Sequence, residues 1–236
     1  MANLDKDVRA ILLSGNGRGF SSGLDVAGMS SELAHDEDDD ESRVSIYRGR
    51  MIREFQNSIS QPFFITKPVI GIAHGPCIGL AIDILSAVDI RLAAKDATFS
   101  VREINLGMAA DIGTLQRLPR IVGNLGWVKE VAYTGRNFGA EEALAQGFVQ
   151  EVLPTQEEAI KRGLEIAKEL ALKSPVALQG TKRSINYALD HTHQESLDQI
   201  AEYNSYALGK DFVDGCMAML ESKATKRKVV PEFAKL

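Results

Sequence analysis

Short apolar runs that end at glycine-containing turns recur along the first part of the chain and predict buried strands. The run Val8–Ser14 reads V-R-A-I-L-L-S and stops at Gly15-Asn16-Gly17. A short continuous apolar run bounded by turn residues is typical of a strand that is buried on both faces. The same pattern predicts strands over residues 69–74, 89–92, 98–101 and 147–153.

Helical spacing of apolar residues predicts the elements between these strands. Residues 42–59 carry apolar side chains three or four positions apart, including Val44, Tyr47, Met51 and Phe55, which is the period of an amphipathic helix. Further helices are predicted over residues 80–87, 113–121, 125–133 and 141–146. Alternation of strands with helices predicts the α/β class.

The alternation ends near Pro154. Beyond it, residues 157–172, 175–189, 195–208 and 212–221 all have helical spacing, and a basic tail follows. The sequence therefore predicts an α/β core over residues 1–154 and a helical C-terminal region over residues 155–236.

Composition and charge argue against several classes of protein. The 236 residues are 44% hydrophobic and 25% charged, with a net charge of −5, so this is an ordinary globular chain without a nucleic-acid footprint. Cys77 and Cys216 imply no disulfide framework. No apolar run reaches transmembrane length, and the first residues show no signal-peptide pattern. We expect neither a nucleic-acid nor a membrane partner.

Three carboxylates stand in apolar surroundings between residues 74 and 111. Asp83 lies in A-I-D-I-L, Asp111 lies in A-A-D-I-G, and Glu103 follows a predicted strand. Burying an ionised carboxylate costs several kcal/mol unless it has a partner, and burial raises its pKa toward neutrality. Each acid could instead cap a helix or pair with an arginine, and Asp83 could serve the dipole of its own helix. Three in succession beside a glycine turn favour a functional site.

Other motifs carry less chemistry. Gly15, Gly17 and Gly19 form G-x-G-x-G, which differs from the G-x-G-x-x-G dinucleotide fingerprint. His74 could act as a base, although a hydrogen-bonding role in packing fits it better. The acidic run over residues 35–41 predicts a solvated loop. Nothing near it fixes a coordination geometry, so no metal is expected.

Two glycine-containing segments could hold a negative oxygen. In F-S-S-G-L-D and C-I-G-L-A-I-D, a glycine turn can leave backbone N–H groups pointing into a cleft. Two such donors would stabilise the enolate oxygen of an acyl thioester, which makes its α-protons removable. One carboxylate could then remove a proton and another could deliver one elsewhere along the conjugated chain.

These segments resemble the enoyl-CoA hydratase/isomerase family, also called the crotonase family. The resemblance runs from about Val8 to the C-terminus and rests on F-S-S-G-L-D-V, K-P-V-I-G-I-A-H-G-P-C-I-G, S-A-V-D-I-R, G-T-L-Q-R-L-P-R-I-V-G and T-G-R-N-F-G-A-E-E-A-L-A-Q-G-F-V. Within the family, A-A-D-I-G-T-L-Q-R-L-P and S-P-V-A-L-Q-G-T-K resemble the Δ3,5-Δ2,4-dienoyl-CoA isomerases.

The resemblance implies a role for each matching residue. Asp83 and Glu103 hold the positions of the two hydratase carboxylates, and Asp111 stands where hydratases usually carry glycine. Glu103 would then work at C2 of the substrate and Asp111 at C6, while Asp83 tunes the site. The implied oxyanion-hole N–H groups are those of Leu24 and Leu80, and the implied lining of the thioester path is Ser22, Gly23, Leu24, Asp25, Val26 and Leu80.

The family also implies a fold, an assembly and a pathway. Its fold is a spiral of ββα units followed by a helical trimerisation region, which predicts a homotrimer or homohexamer. The implied activity is a double-bond isomerase of fatty-acid β-oxidation that needs no metal or redox cofactor, because CoA arrives as part of the substrate. The ending Ala234-Lys235-Leu236 is one residue away from the S-K-L peroxisomal address. It predicts recognition by the peroxisomal import receptor, with mitochondrial or cytoplasmic location as alternatives.

Two departures from the family pattern keep other functions open. The family's first hairpin and helix do not precede the strand at Val8–Ser14, and its usual Gly-Gly-Gly is Gly79-Leu80-Ala81 here. An enoyl-CoA hydratase that uses Asp83 and Glu103 is one alternative, which Asp111 disfavours. A catalytically weak protein that binds CoA esters is another, which both departures favour.

Overall fold

The structure is a computed structural model that describes residues 3–25, 28 and 40–236. The described part is an α/β structure with a helical C-terminal region. Its strands are β1 (Ile11–Ser14), β2 (Val69–Ala73), β3 (Pro76–Ile78), β4 (Ile90–Ala94), β5 (Thr98–Ser100), β6 (Phe138–Gly139) and β7 (Glu151–Leu153). Its helices are α1 (Glu41–Ile59), α2 (Gln61–Phe64), α3 (Leu80–Ala87), a 3-10 helix (Glu103–Leu106), α4 (Thr114–Val122), α5 (Leu125–Thr134), α6 (Ala140–Ala145), α7 (Gln156–Ala171), α8 (Pro175–Tyr187), α9 (His193–Ala207) and α10 (Lys210–Thr225).

Two sheets organise the strands. Within the described chain, one sheet has the order β1-β2-β4-β7, and the other has the order β3-β5-β6. β4 runs parallel to β7, and β3 runs parallel to β5. Every residue of β2 is buried, as expected for a strand covered on both faces in a parallel arrangement. The unbroken apolar run in the sequence of β2 is the signature of that position.

Aromatic rings fill the core beside the smaller sheet. Phe99 of β5 stacks on Phe138 of β6 with ring centroids 5.3 Å apart, and Phe148 meets Phe99 edge to face at 5.6 Å. Trp127 of α5 contacts Phe138 edge to face at 4.9 Å. Offset and edge-to-face contacts of this kind add stability beyond the apolar area that is buried. The cluster anchors the elements that carry Glu103.

The chain divides into two compact units. The larger unit comprises residues 13–64 and 71–160, and the smaller comprises residues 1–12, 65–70 and 161–236. The larger one contains the core cluster around Ile82, Leu85 and Phe99. The proposed boundary near Pro154 between an α/β core and a helical region stays a prediction.

The smaller unit is held by contacts between helices and by bonds to the early segment of the chain. Tyr203 of α9 donates its hydroxyl to the carbonyl of Val176 in α8 at 2.7 Å. A Cβ placed on Gly180 would lie 2.2 Å from the Tyr203 ring, so glycine permits the close approach of α8 and α9. Lys182 donates to the carbonyl of Lys67 at 3.0 Å. Thr192 and Glu195 form a capping box at the start of α9.

Most of the secondary structure predicted from the sequence is found, including the short strands near residues 69–74, 89–92 and 98–101. The helix over residues 80–87 is found as predicted, and that over residues 42–59 is α1. The sequence predicts no strand between residues 74 and 80, whereas the structure has β3 there. Three residues are too few to show an alternation of apolar and polar side chains. The predicted strand over residues 147–153 is shorter and covers only Glu151–Leu153.

Two further findings concern membranes and metals. None of the helices within the described residues combines the length and the hydropathy that a membrane-spanning segment requires. The same residues contain no group of three or more His, Cys, Asp or Glu side chains arranged to hold a metal ion.

Candidate active site

The two glycine-containing turns lie side by side. Ser21 forms a parallel bridge with Cys77, in which the Ser21 N–H donates to the Pro76 carbonyl at 3.1 Å and the Ile78 N–H donates to the Ser21 carbonyl at 3.0 Å. Leu24 and Leu80 each lie three residues beyond that bridge. The parallel register therefore carries both turns to the same end of the pairing.

Gly79 sets the direction of the second turn. Its φ of 57° and ψ of −116° are open to glycine and strained for other residues. Its N–H donates to the Ser100 carbonyl at 2.9 Å, which ties the turn to β5. Leu80 is the first residue of α3, and the first N–H groups of a helix have no acceptor within that helix. The Leu80 N–H can therefore serve a ligand, while its side chain is half-buried.

Glu103 lies directly against Gly79. A Cβ added to Gly79 would lie 3.3 Å from Oε1 of Glu103. The other carboxylate oxygen, Oε2, is buried and has no hydrogen-bond partner. Burial raises the pKa of Glu103, and the negative charges of Asp83 and Asp111 raise the pKa further. A carboxylate with a raised pKa and an unengaged oxygen is suited to accept a proton.

Asp83 is held more firmly than Glu103. Its side chain is buried, and its Oδ1 accepts both the N–H and the hydroxyl of Thr114, each at 2.7 Å. Burial raises the pKa of Asp83, whereas the two Thr114 hydrogen bonds and the Arg117 charge oppose that rise. Asp83 belongs to the first turn of α3, but its carboxylate binds at the N-terminus of α4.

Arg117 donates hydrogen bonds to the backbone and side chains around Asp83. Its Nη2 donates to the carbonyls of Asp83 at 3.1 Å and Ile112 at 3.2 Å, and its Nε donates to the Ser86 hydroxyl at 3.0 Å. A Cβ on Gly113 would lie 2.1 Å from the same Nη2. Glycine at position 113 therefore makes room for the guanidinium beside the start of α4.

Asp111 completes the acidic group. It is half-buried, and its carbonyl accepts a hydrogen bond from Nε2 of Gln56 in α1 at 2.6 Å. Its negative charge raises the pKa of both Asp83 and Glu103. The three predicted carboxylates are therefore close enough to interact electrostatically.

The remaining predicted residues surround the first turn. Ser22 and Asp25 are exposed, whereas Gly23 and Leu24 are half-buried. Oδ1 of Asp25 accepts the Gly28 N–H at 3.1 Å. Val26, which was predicted to line the thioester path, lies outside the described residues, and so does most of the acidic run.

His74 is buried at the end of β2. Its Nε2 lies 3.3 Å from the carbonyl of Gly17, and its Nδ1 is buried without a hydrogen-bond partner. That contact matches the hydrogen-bonding role in packing better than the role of a base.

Sequence reasoning missed Thr114, Arg117 and Gln56. Thr114 follows Gly113 at the start of a predicted helix, but its hydroxyl donates to a carboxylate 31 positions earlier in the chain, which no local motif indicates. Gln56 sits on α1 more than fifty residues before Asp111, so no local pattern could connect the two.

Comparison with known proteins places these residues in context. The family model described as Enoyl-CoA hydratase/isomerase matches residues 1–228. The mitochondrial Delta(3,5)-Delta(2,4)-dienoyl-CoA isomerase of Homo sapiens is 41% identical over 223 residues, which cover 94% of this chain and 68% of that protein. The peroxisomal Delta(3,5)-Delta(2,4)-dienoyl-CoA isomerase of Arabidopsis thaliana is 37% identical over 239 residues, which cover 100% of this chain and 84% of that protein.

A solved structure shares the fold. The crystal structure of an enoyl-CoA hydratase from Bacillus anthracis matches with a TM-score of 0.82 and 26% identity, covering 99% of this chain and 84% of that one. The predicted crotonase-type α/β fold with a C-terminal helical region is thereby confirmed.

Proposed function

The chain belongs to the enoyl-CoA hydratase/isomerase family, and on that premise we propose that it converts 3,5-dienoyl-CoA to 2,4-dienoyl-CoA in fatty-acid oxidation. The proposal is supported by two relatives of that name at 41% and 37% identity. The observation that carries it is the position of Glu103 against Gly79, next to the Leu80 N–H. This position supports a role for Glu103 as the base beside the oxyanion hole.

The first step removes a proton from C2. The thioester oxygen accepts the N–H groups of Leu24 and Leu80, which stabilise the negative charge that develops as the C2–H bond breaks. A single donor of this kind is worth about 3 kcal/mol in the transition state of other enzymes. Glu103 takes the proton on its unengaged oxygen and becomes neutral. Its raised pKa favours this transfer.

The second step delivers a proton to C6. The electron pair from the broken C2–H bond forms the C2=C3 double bond, and the pair of the C3=C4 double bond moves to C4=C5. The pair of the C5=C6 double bond forms the new bond between C6 and a proton that comes from Asp111. Asp111 must therefore begin the cycle protonated, and the proton returns to it from Glu103 before the next turnover. Only protons move, so the reaction needs no redox cofactor, and CoA enters as part of the substrate.

A third acid distinguishes this reaction from hydration. Adding water across one double bond needs an acid–base pair, which Asp83 and Glu103 could supply. Transfer between C2 and C6 needs acids at two separated carbons, and Asp111 supplies the second. Its carboxyl is close enough to that of Glu103 for the two to interact electrostatically, which supports a paired role.

An absorbance assay with a 3,5-dienoyl-CoA tests the proposal, because the 2,4-diene product conjugated to the thioester is a new chromophore. We expect turnover by the wild type and a fall in kcat on the order of 100-fold or more for Asp111→Asn. Asp198→Asn, which changes an exposed carboxylate of α9, should behave as the wild type. Hydration of a 2-enoyl-CoA without dienoyl turnover, or binding of CoA esters without either reaction, would overturn the proposal.

We further propose that the chain assembles as a homotrimer or a homohexamer through its helical region. Val213, Met217 and Leu220 of α10 are 56%, 61% and 56% exposed and lie at i, i+4 and i+7, so they form one apolar stripe. Contiguous exposed apolar surface marks an interaction site. The occupant proposed here is a second copy, since members of the family are commonly oligomeric.

Light scattering of the purified chain tests the assembly. Met217→Asp should shift the mass toward the monomer, because it buries a charge in the interface. Met219→Asp is the matched control, since Met219 is exposed on a different side of the same helix. A wild-type monomer, or equal effects of the two variants, would contradict the assembly.

We propose a peroxisomal location, which a fluorescent fusion with and without residues 234–236 would test. The human relative is mitochondrial and the Arabidopsis relative is peroxisomal, so both compartments are compatible with the family. Import that is unaffected by the deletion would contradict recognition of Ala234-Lys235-Leu236.

A further inference from the structure

We infer that Thr114 is a positioning residue for the isomerisation, because it fixes the carboxylate of Asp83 as a stationary negative charge beside Glu103. The inference rests on the proposed function and deepens it, since it separates the acid that stays charged from the acids that carry protons. Thr114 is not among the site residues that the sequence predicts.

Thr114 donates two hydrogen bonds to the same carboxylate oxygen of Asp83. The Thr114 N–H and hydroxyl both lie 2.7 Å from Oδ1 of Asp83. Thr114 is fully buried and Asp83 is 1% exposed, so water does not compete for either group. Hydrogen bonds to an ionised carboxylate are shorter and stronger than neutral ones. The carboxylate therefore has one orientation fixed by the start of α4.

The start of α4 also favours the charged form of Asp83. Thr114 is the first residue of α4, and the N-terminus of a helix carries partial positive charge. Arg117, one turn further along, donates to the backbone carbonyl of Asp83 at 3.1 Å and adds a full positive charge nearby. These groups oppose the rise in the pKa of Asp83 that burial causes.

Glu103 differs from Asp83 in having a carboxylate oxygen that is free to take a proton. Its Oε2 is buried without a partner, whereas the Oδ1 of Asp83 is occupied twice. A proton can be added to Glu103 without breaking a hydrogen bond, but protonating Oδ1 of Asp83 would displace the Thr114 donors. The fixed charge of Asp83 then acts on Glu103 and favours its protonated form after the first step.

Three substitutions separate this role from simple packing. Thr114→Val keeps the shape and the N–H but removes the hydroxyl, and Thr114→Ser keeps the hydroxyl. We expect Thr114→Val to lower kcat on the order of 10- to 100-fold, with KM within about twofold of the wild type and Thr114→Ser close to the wild type. In the background of Asp83→Asn, Thr114→Val should have no further effect, since it acts through Asp83.

A carboxyl 13C titration of Asp83, assigned by comparison with Asp83→Asn, gives a readout independent of turnover. Removing the hydroxyl should move the Asp83 titration to higher pH, and Thr114→Ser should not. Unchanged kcat and titration in Thr114→Val, an equal loss in Thr114→Ser, or a further loss in the Asp83→Asn background would overturn the inference. If the wild type isomerises no dienoyl-CoA, the proposed function fails, whereas the Asp83 titration still decides what Thr114 does. If Thr114→Val does not fold, Thr114→Ala removes the same hydroxyl.

Discussion

Gln56 in α1 donates from Nε2 to the backbone carbonyl of Asp111 at 2.6 Å, although the two residues are 55 positions apart. The bond connects a long amphipathic helix to the segment that carries the proposed C6 acid. Ser60, at the end of the same helix, accepts a hydrogen bond from Arg117 at 3.1 Å. The end of α1 therefore supports the acidic group at two points.

Gln56→Met should reduce turnover because methionine fills the same space but cannot donate to Asp111. We expect a fall in kcat on the order of 10-fold, as a displaced catalytic group commonly costs that much or more. Gln61→Met is the matched control, since Gln61 donates to an exposed carbonyl of Asn57 at 2.9 Å. Equal kcat values for the wild type and Gln56→Met would show that Asp111 is positioned without this bond.

Gly79→Ala should disturb both the Glu103 carboxylate and the Leu80 N–H. The added Cβ would lie 3.3 Å from Oε1 of Glu103, and the φ of 57° is strained for alanine. We expect the Leu80 N–H to turn away and kcat to fall on the order of 100-fold. Gly147→Ala introduces a Cβ at a φ of 80° in open space, so it should cost about 1 kcal/mol of stability and leave kcat unchanged. Steady-state kinetics and urea unfolding of both variants make the comparison.

Glu103→Gln should abolish most activity and stabilise the fold at neutral pH. The folded-state pKa of Glu103 lies above its unfolded value of 4.5, so the folded state binds the proton more tightly. Below the unfolded pKa both states are protonated and the carboxyl costs nothing. As the pH rises through the folded pKa, the penalty for the buried charge develops and is complete above it.

Thermal unfolding at a series of pH values measures the difference in stability between Glu103→Gln and the wild type. Glu103→Gln should melt about 2 °C above the wild type at neutral pH, a small gain because Glu103 is only half-buried and solvent screens its charge. The difference should disappear near about pH 4, where the wild-type carboxyl is protonated. A glutamine variant that is less stable than the wild type at neutral pH would contradict the raised pKa.

Arg91→Lys should destabilise the fold more than a similar change at the surface. Buried Arg91 donates to the carbonyls of Phe148 at 2.6 Å and Val88 at 2.7 Å, which closes the end of α3. Burial lowers its pKa to about 10. Lysine cannot span these acceptors, so we expect a loss on the order of 2–4 kcal/mol by urea unfolding. Arg136→Lys, which affects partly exposed ion pairs with Glu130 and Glu142, should cost less than about 1 kcal/mol.

The amino-acid pattern alone predicts the fold class, most of the longer helices and the acidic residues of the site. Helical periodicity repeats over many positions, and it therefore predicts the helices Leu80–Ala87 and Glu41–Ile59. Asp83, Glu103 and Asp111 stand out because an acid in apolar sequence is expensive and rare. The glycine turns at Gly23 and Gly79 are equally local signals, and the motifs around them predicted the family.

The partners of each acid depend on the folded chain. Thr114 lies 31 positions after Asp83, and Asp111 lies 55 positions after Gln56, so chain packing that no local pattern encodes brings each pair together. The same packing leaves one oxygen of Glu103 without a partner while it engages Asp83 twice. Whether a carboxyl holds a fixed charge or carries a proton depends on desolvation and on nearby donors. Those quantities exist only once distant segments have come together.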